Sequence, residues 1–256
     1  MGAQRSMDDG IRALTDLLRA AERVLVFTGA GVSTESGIPD FRSPGGIWDR
    51  YPVVYYDEFL RDPEAQRRYW LRSRETYPVL ARAQPNPAHW AIAALDALGK
   101  LLLVVTQNID GLHQRAGTPP EKVVELHGNN QWVVCVDCDA RTPREAIQAE
   151  LLAGVEVPRC ARCGGLLKNA TVSFGQPLPA EALRAAEAAA RTCDLCLVVG
   201  SSLVVYPAAY IPLYAVESGA PLAIVNATPT PLDPLAQVVL RGRAGEILPA
   251  AVAALP

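Results

Sequence analysis

Apolar residues gather in short runs at 24–28, 101–106, 123–126, 195–200 and 222–226. Each run is rich in Val, Leu and Ile and too short for a buried helix, so each predicts a strand. Most are separated by stretches with helical spacing of apolar positions, at 10–21, 88–98, 179–191 and 207–218. Strands alternating with helices predict an α/β fold, a Rossmann-type doubly wound parallel sheet. Near-continuous Leu101-Leu102-Leu103-Val104-Val105 and Leu197-Val198-Val199 suit strands covered by helices on both faces. In such a sheet ligands collect outside the carboxyl ends of the strands.

Two segments interrupt the alternation: 43–87, rich in Tyr, Trp, Arg and Pro, and 129–170, which holds four of the six cysteines. They predict one smaller module inserted into the larger domain. On that division 1–42, 88–128 and 171–256 form the nucleotide-binding domain, and 43–87 with 129–170 form a helical insert plus a metal ribbon. The 256 residues, half of them hydrophobic, suffice for a sizeable core. No apolar run approaches the ~20 residues of a membrane span, and the polar N-terminus lacks a signal-peptide core, so a soluble cytoplasmic protein is expected. A net charge of −3 offers no basic face for nucleic acid, which is not expected as a direct partner.

The residues that follow the strand runs carry the chemistry. Gly29-Ala30-Gly31 comes directly after the first run. Two glycines there let backbone amides approach a pyrophosphate, and a following helix start adds its own N–H groups. The dinucleotide fingerprint G-x-G-x-x-G is only partly met, because position 34 is Thr and the next glycine is Gly37. Asp40-Phe41-Arg42 then places an acid, an aromatic and a base on the same loop. The second run ends in Gln107-Asn108-Ile109-Asp110, poor strand formers better suited to a ribose or an amide than to packing. The third ends in His127, whose imidazole can take a proton from a sugar hydroxyl near neutral pH. His89 and His113 compete for that role; His89, just after Pro85-Asn86-Pro87, reads most simply as structural. Gly200-Ser201-Ser202 and Asn226 end two further runs and read either as ligand contacts or as helix N-caps.

Cys135-Val136-Asp137-Cys138 and Cys160-Ala161-Arg162-Cys163 are two C-x2-C knuckles. Four thiolates at that spacing predict one structural Zn²⁺ with no open coordination position. A third pair, Cys193 and Cys196, borders an apolar run without a partner pair and reads as small buried side chains.

Taken together, GAGVSTESGIPDFR at 29–42, TQNIDGLH at 106–113, LHG at 126–128, the paired knuckles, FG at 174–175, GSS at 200–202 and a late VN resemble the sirtuins, NAD-dependent protein lysine deacylases. The resemblance spans about residues 10–250 and keeps the family's motif order. It implies NAD as co-substrate, contacted by Ala30, Asp40, Phe41, Arg42, Gln107, Asn108, Ile109, Asp110, Gly200, Ser201, Ser202, Asn226 and the backbone near Ala244, with Gly29 and Gly31 at the phosphates. His127 would be the base and Asn108 its catalytic companion. An acylated lysine of a protein substrate would lie as a strand beside Val172-Ser173-Phe174-Gly175, and the products would be nicotinamide, O-acyl-ADP-ribose and free lysine. Lys168-Asn169-Ala170-Thr171-Val172-Ser173-Phe174-Gly175-Gln176 departs from the Arg-Pro-Asp-Val-Val-x-Phe-Gly-Glu often found there, so that an acid and a proline are missing at the peptide-binding edge. Tyr69 and Arg72 match the Tyr-x-x-Arg spacing with which desuccinylating sirtuins hold a carboxylate, whereas Trp70 in the alternative register removes the match. The surrounding residues look like the class II branch, linked to longer acyl groups. The competing readings are mono-ADP-ribosyl transfer from the same site and a non-catalytic NAD-sensing module.

Overall fold

The computed structural model describes residues 2–39 and 52–255, with side chains from Met7 onward. Among the described residues, six parallel strands form one sheet in the order β3-β2-β1-β7-β8-β9. They are β1 (Val24–Thr28), β2 (Leu101–Thr106), β3 (Val123–Glu125), β7 (Leu195–Val199), β8 (Leu222–Val225) and β9 (Val238–Leu240). Successive side chains point to opposite faces, so both faces of this apolar sheet need a cover. Val24 and Val26 with Leu195, Leu197 and Val199 pack on one side against α1 (Gly2–Ala20), α4 (Pro87–Ala97) and α9 (Ala244–Val252). Leu25, Phe27, Cys196 and Val198 pack on the other against α7 (Ala180–Thr192) and α8 (Tyr210–Glu217). The result is the three-layer arrangement expected of a doubly wound sheet. Strand β9 forms one edge of the sheet and helix α9 packs between α1 and α4; neither was expected.

The two interrupting segments fold against each other. The first supplies α2 (Tyr56–Arg61) and α3 (Pro63–Arg82), the latter opened by Asp62, whose carboxylate accepts the Glu64 amide at 2.8 Å. The second supplies β4 (Gly128–Cys135), β5 (Arg141–Pro143), α6 (Arg144–Leu152) and β6 (Leu167–Thr171), with the strands in an antiparallel sheet ordered β5-β4-β6. Phe59, Tyr69 and Trp70 from the first segment share a core with Val133, Ile147, Leu151 and Leu167 from the second. Arg144 ties them further. Fully buried, it donates through Nη2 to the Ser73 carbonyl and hydroxyl, both at 3.0 Å, while Tyr77 and Trp70 present their rings to its guanidinium.

Candidate functional site

Because the six strands are parallel, their carboxyl ends all open at one edge of the sheet. The order reverses between β1 and β7, and at this switch point two glycine loops meet. Gly200 has φ +62°, and a Cβ there would stand 2.2 Å from the Val32 nitrogen. A Cβ on Gly31 would stand 2.8 Å from the Gly200 Cα. The amides of Gly29 and Gly31 donate to the carbonyls of Val199 (3.1 Å) and Gly200 (2.8 Å). Their glycines therefore serve the close approach of the two loops, and their own N–H groups are spent on it. The helix start expected next is instead two 3-10 turns, Ala30–Val32 and Thr34–Ser36, because the loop is pinned to its neighbour before an α-helix can develop. Asp40, Phe41 and Arg42 lie outside the described residues.

Below the loops runs a buried polar network. Both Nδ2 hydrogens of Asn108 are committed, to the Gly29 carbonyl at 3.2 Å and to Ser33 Oγ at 3.1 Å, which leaves Oδ1 as the polar atom it can offer a ligand. Ser33 donates to Asp110 Oδ2 at 2.8 Å, and Asp110 Oδ1 accepts the Leu112 amide at 2.9 Å. Burial raises the Asp110 pKa against these donors. Thr28 Oγ1 bonds Thr106 Oγ1 at 2.8 Å and contacts His113 Nε2 at 2.9 Å. His89 Nδ1 accepts the Asn86 amide at 3.3 Å, so a neutral His89 carries its proton on Nε2, which faces Ser33 Oγ at 3.4 Å. The two imidazoles stand 5.0 Å apart, and burial pushes His89 down to about 4 and His113 to about 3. Both are neutral near pH 7. Sequence reading did not find this layer; its signal lay in hydroxyls and histidines that individually look structural.

His127 follows β3, half-buried, with Nδ1 2.9 Å from the Gln107 carbonyl. A carbonyl only accepts, so Nδ1 carries the proton, and among the described residues no donor meets the Nε2 lone pair. Burial lowers the His127 pKa, and the Gln107 bond opposes the shift. Gly128, at φ +68°, lets the chain turn under the ring; a Cβ there would come within 2.1 Å of the Ala170 carbonyl. Gln107 Nε2 donates to Ser201 Oγ at 2.8 Å, joining the second strand end to the fourth. The Ile109 carbonyl accepts the Asn130 amide at 2.9 Å. Ser202 stands half-buried beside Ser201. Neither serine nor Asn226 caps a helix: α8 begins at Tyr210 after Ala209, and Asn226 Nδ2 closes a turn onto the Thr228 carbonyl at 2.8 Å. Ala244 opens α9, where Glu35 Oε1 accepts the neighbouring Gly245 amide at 2.8 Å and joins that helix to the glycine loop.

At the far end of the inserted segments Cys135, Cys138, Cys160 and Cys163 bring four sulfurs within 4.8 Å of one another. A zinc ion at about 2.3 Å from each of four thiolates sets its sulfurs about 3.8 Å apart. Cys135 to Cys163 is 3.5 Å and Cys138 to Cys160 is 3.7 Å, so the donor set fits one tetrahedral zinc. Gly165 leaves room for Asp137, which accepts the Leu166 amide at 3.0 Å and braces the second knuckle. Cys193 and Cys196 stay apart from this cluster, and burial raises both thiol pKa values, as suits packing side chains.

A Sir2 family model matches residues 29–207. The chain belongs to the Sir2 family. It is 43% identical over 243 residues to an NAD-dependent protein deacetylase of Rhodopseudomonas palustris, covering 95% of this chain and 96% of that one. It is 47% identical over 239 residues to NAD-dependent protein deacylase 2 of Pyrobaculum aerophilum, covering 92% of each. Among solved structures, one described under the mechanism and regulation of Sir2 enzymes superposes with a TM-score of 0.87 at 45% identity, over 96% of this chain and 98% of that one. Another, of Sir2 with a p53 peptide and NAD⁺, gives 0.85 at 40% identity over 93% and 95%.

In this Sir2 chain the expected peptide edge is not an open strand. β6 ends at Thr171, and the Val172 amide donates to the His127 carbonyl at 2.8 Å. Ser173 closes on Gln176 in both directions: its amide donates to Gln176 Oε1 at 3.1 Å and its carbonyl accepts the Gln176 amide at 3.0 Å. Gln176, where the family often has an acid, thus fixes a turn that exposes Phe174 and Gly175. Tyr69 is 2% exposed, and its hydroxyl accepts the Asn169 amide at 3.2 Å. The Arg72 guanidinium lies over the Tyr69 ring, 5.5 Å from its centroid. Trp70, the alternative register, is fully buried in the shared core.

Proposed function

We propose that this protein is an NAD-dependent protein lysine deacylase. The observation that carries the reading is the tautomer of His127: with Nδ1 anchored on the Gln107 carbonyl, Nε2 is a free base at the edge where the strand ends meet. The names of the relatives support the same reading.

NAD, when bound, would supply an electrophilic ribose carbon to take up the acyl carbonyl oxygen as nicotinamide leaves and a ribose hydroxyl to receive the acyl group, and one water would complete the release of O-acyl-ADP-ribose and lysine. The residues of the chain divide the work. Gly29, Ala30 and Gly31 with Gly200, Ser201 and Ser202 line the phosphate side at the switch point, and Asn226 and Ala244 line the adenosine side. Asp40, Phe41 and Arg42 belong to the same site by their place in the motif. Gln107, Asn108, Ile109 and Asp110 orient the ribose and the carboxamide, with Asn108 offering Oδ1. His127 Nε2 takes a proton from a ribose hydroxyl, which a neutral imidazole of lowered pKa does across the neutral range. The buried His89 and His113 hold the Ser33 and Thr28 layer without adding positive charge near the cationic nicotinamide ring. The acyl-lysine lies along Val172, Phe174 and Gly175, with its acyl end toward Tyr69 and Arg72. The division into a nucleotide-binding domain (1–42, 88–128, 171–256) and a small domain (43–87, 129–170) puts this cleft between them. Four grouped thiols suit a reducing, cytoplasmic setting.

The test is mass spectrometry of one peptide carrying acetyl, succinyl, lipoyl or myristoyl lysine, with and without NAD. NAD-dependent acyl loss with matching O-acyl-ADP-ribose is expected. No loss across the panel despite NAD binding overturns the reading; ADP-ribose on the peptide or on the protein without acyl loss replaces it with ADP-ribosyl transfer.

A further inference from the structure

Glu125, the last residue of β3, carries a half-buried carboxylate with no cation beside it. Among the described residues no lysine, arginine or histidine nitrogen lies within 4.0 Å of its oxygens. It holds two side-chain amides instead: Oε1 accepts Gln114 Nε2 at 3.1 Å and Oε2 accepts Asn129 Nδ2 at 2.9 Å. Hydrogen bonds to an ionised group are about twice as strong as neutral ones. Asn129 Oδ1 accepts the Gln131 amide at 3.1 Å, and a backbone N–H requires an oxygen there, so Nδ2 is the atom turned toward Glu125. Burial raises the Glu125 pKa, and the two donors oppose the shift.

The bond to Asn129 spans the base. His127 comes two residues after Glu125 and two before Asn129, and Gly128 turns the chain between them at φ +68°. Backbone bonds fasten the flanks of that turn: the Leu126 amide donates to the Thr106 carbonyl at 2.9 Å, and the Asn130 amide to the Ile109 carbonyl at 2.9 Å. The Glu125–Asn129 bond closes over the glycine itself, the residue with the most backbone freedom to lose. Gln114 lies on the short helix Leu112–Arg115, just after Asp110. One carboxylate therefore ties the His127 turn to the loop that carries Asn108 and Asp110.

We infer that Glu125 is a positioning residue for the reaction: by clasping Asn129 across the His127–Gly128 turn, it holds the imidazole with Nδ1 on the Gln107 carbonyl and Nε2 toward the ribose. The inference rests on the deacylase reading and adds a residue to its base. The hydrogen bonds of the Glu125 carboxylate go to Gln114 and Asn129 and not to the imidazole, so it acts through the backbone of the turn. A reacting group misplaced by about 1 Å can cost about a hundredfold in rate, so the clasp is read in kcat and not in binding.

The experiment exchanges the two ends of the bond. Asn129→Asp sets a second carboxylate against Glu125. It is expected to lower kcat at least tenfold on whichever acetyl-, succinyl-, lipoyl- or myristoyl-lysine peptide wild type turns over fastest, with KM for NAD and for peptide within threefold. Adding Glu125→Gln restores one donor, one acceptor and the wild-type net charge, and is expected to return kcat to within threefold of wild type. A wild-type kcat in Asn129→Asp overturns the inference, as does a loss that Glu125→Gln leaves unrepaired or one carried by both KM values. Labelling with 15N-histidine gives a readout that needs no turnover. His127 is expected to show Nδ1–H in wild type, a mixture of tautomers in Asn129→Asp and Nδ1–H again in the double variant; a His127 signal that Asn129→Asp does not change overturns the inference. Glu125→Ala, which removes the acceptor without adding charge, is expected to show the same loss and the same mixture, and it decides the matter if Asn129→Asp does not fold. No acyl loss from wild type with NAD present strikes the deacylase reading and leaves the histidine spectrum to decide the role of Glu125.

Discussion

Lowering the pH from 7.5 to 5.0 should destabilise this protein through two buried histidines. In the unfolded chain each titrates near 6.5. In the folded chain His89 is held at about 4 and His113 at about 3, each chiefly because burial disfavours the imidazolium. The folded values lie below the unfolded ones, so between them the unfolded chain binds more protons. Their contribution is complete above about pH 6.5 and falls as pH drops toward the folded values, by about 1.4 kcal/mol per unit for each histidine. At pH 5.0 the loss is about 2 kcal/mol for each and about 4 kcal/mol together, a large part of a typical domain's stability. Asp110 and Glu125 work the other way, since burial raises both carboxyl pKa values and protonation relieves them.

Comparing wild type with His113→Leu isolates the histidine effect from those carboxyls and from acid release of zinc. Thr28 keeps its bond to Thr106 when the ring is removed, so the polar layer retains a partner for that hydroxyl. Urea unfolding at both pH values gives a stability difference for each protein. Wild type should lose about 2 kcal/mol more than the variant over this interval. Parallel losses would show that His113 titrates normally in the folded state and would refute the argument for a dry, neutral pair.

Other perturbations separate the parts of the site. His127→Ala should retain stabilisation by NAD in a thermal shift assay yet lose turnover by at least about a hundredfold, the usual scale for a general base. Near-normal turnover would remove the imidazole from the reaction. The wild-type rate should fall on acidification through a pKa below the ordinary 6.5, because burial lowers His127; a limb above 6.5 would contradict the observed environment. Gly200→Ala should cost at least about 2 kcal/mol, since it adds a Cβ at positive φ and against the Val32 nitrogen. Chelating zinc should loosen the core shared by Tyr69, Trp70 and Leu167, because Cys135 and Cys160 are part of it; proteolysis inside 129–170 would report this while α1 and the large sheet stay protected.

What could be read from the chain and what could not follows from how far apart the cooperating residues lie. The cysteine knuckles and the polar tails of the strand runs were legible because each is local, and because parallel strands bring all their carboxyl ends to one edge regardless of the loops between them. Strand β9 was not, since three residues after a proline-rich stretch carry no period, and it exists through pairing of Val239 with Ile224. The closed turn at Ser173 depends on a Gln176 side chain that nothing in the local pattern distinguishes from a solvated one. The histidines make the point most sharply. Three identical side chains stand beside the same polar loops, and spacing alone only ranks them. Their partners decide: His89 accepts a backbone amide at Nδ1 and turns its remaining proton toward Ser33, while His113 is sealed from solvent. His127 alone among them gives its Nδ1 proton to a carbonyl and keeps an open lone pair at the strand ends. A base is therefore defined here by the atom its neighbour accepts from, and that neighbour, Gln107, lies on a different strand end, 20 residues away along the chain.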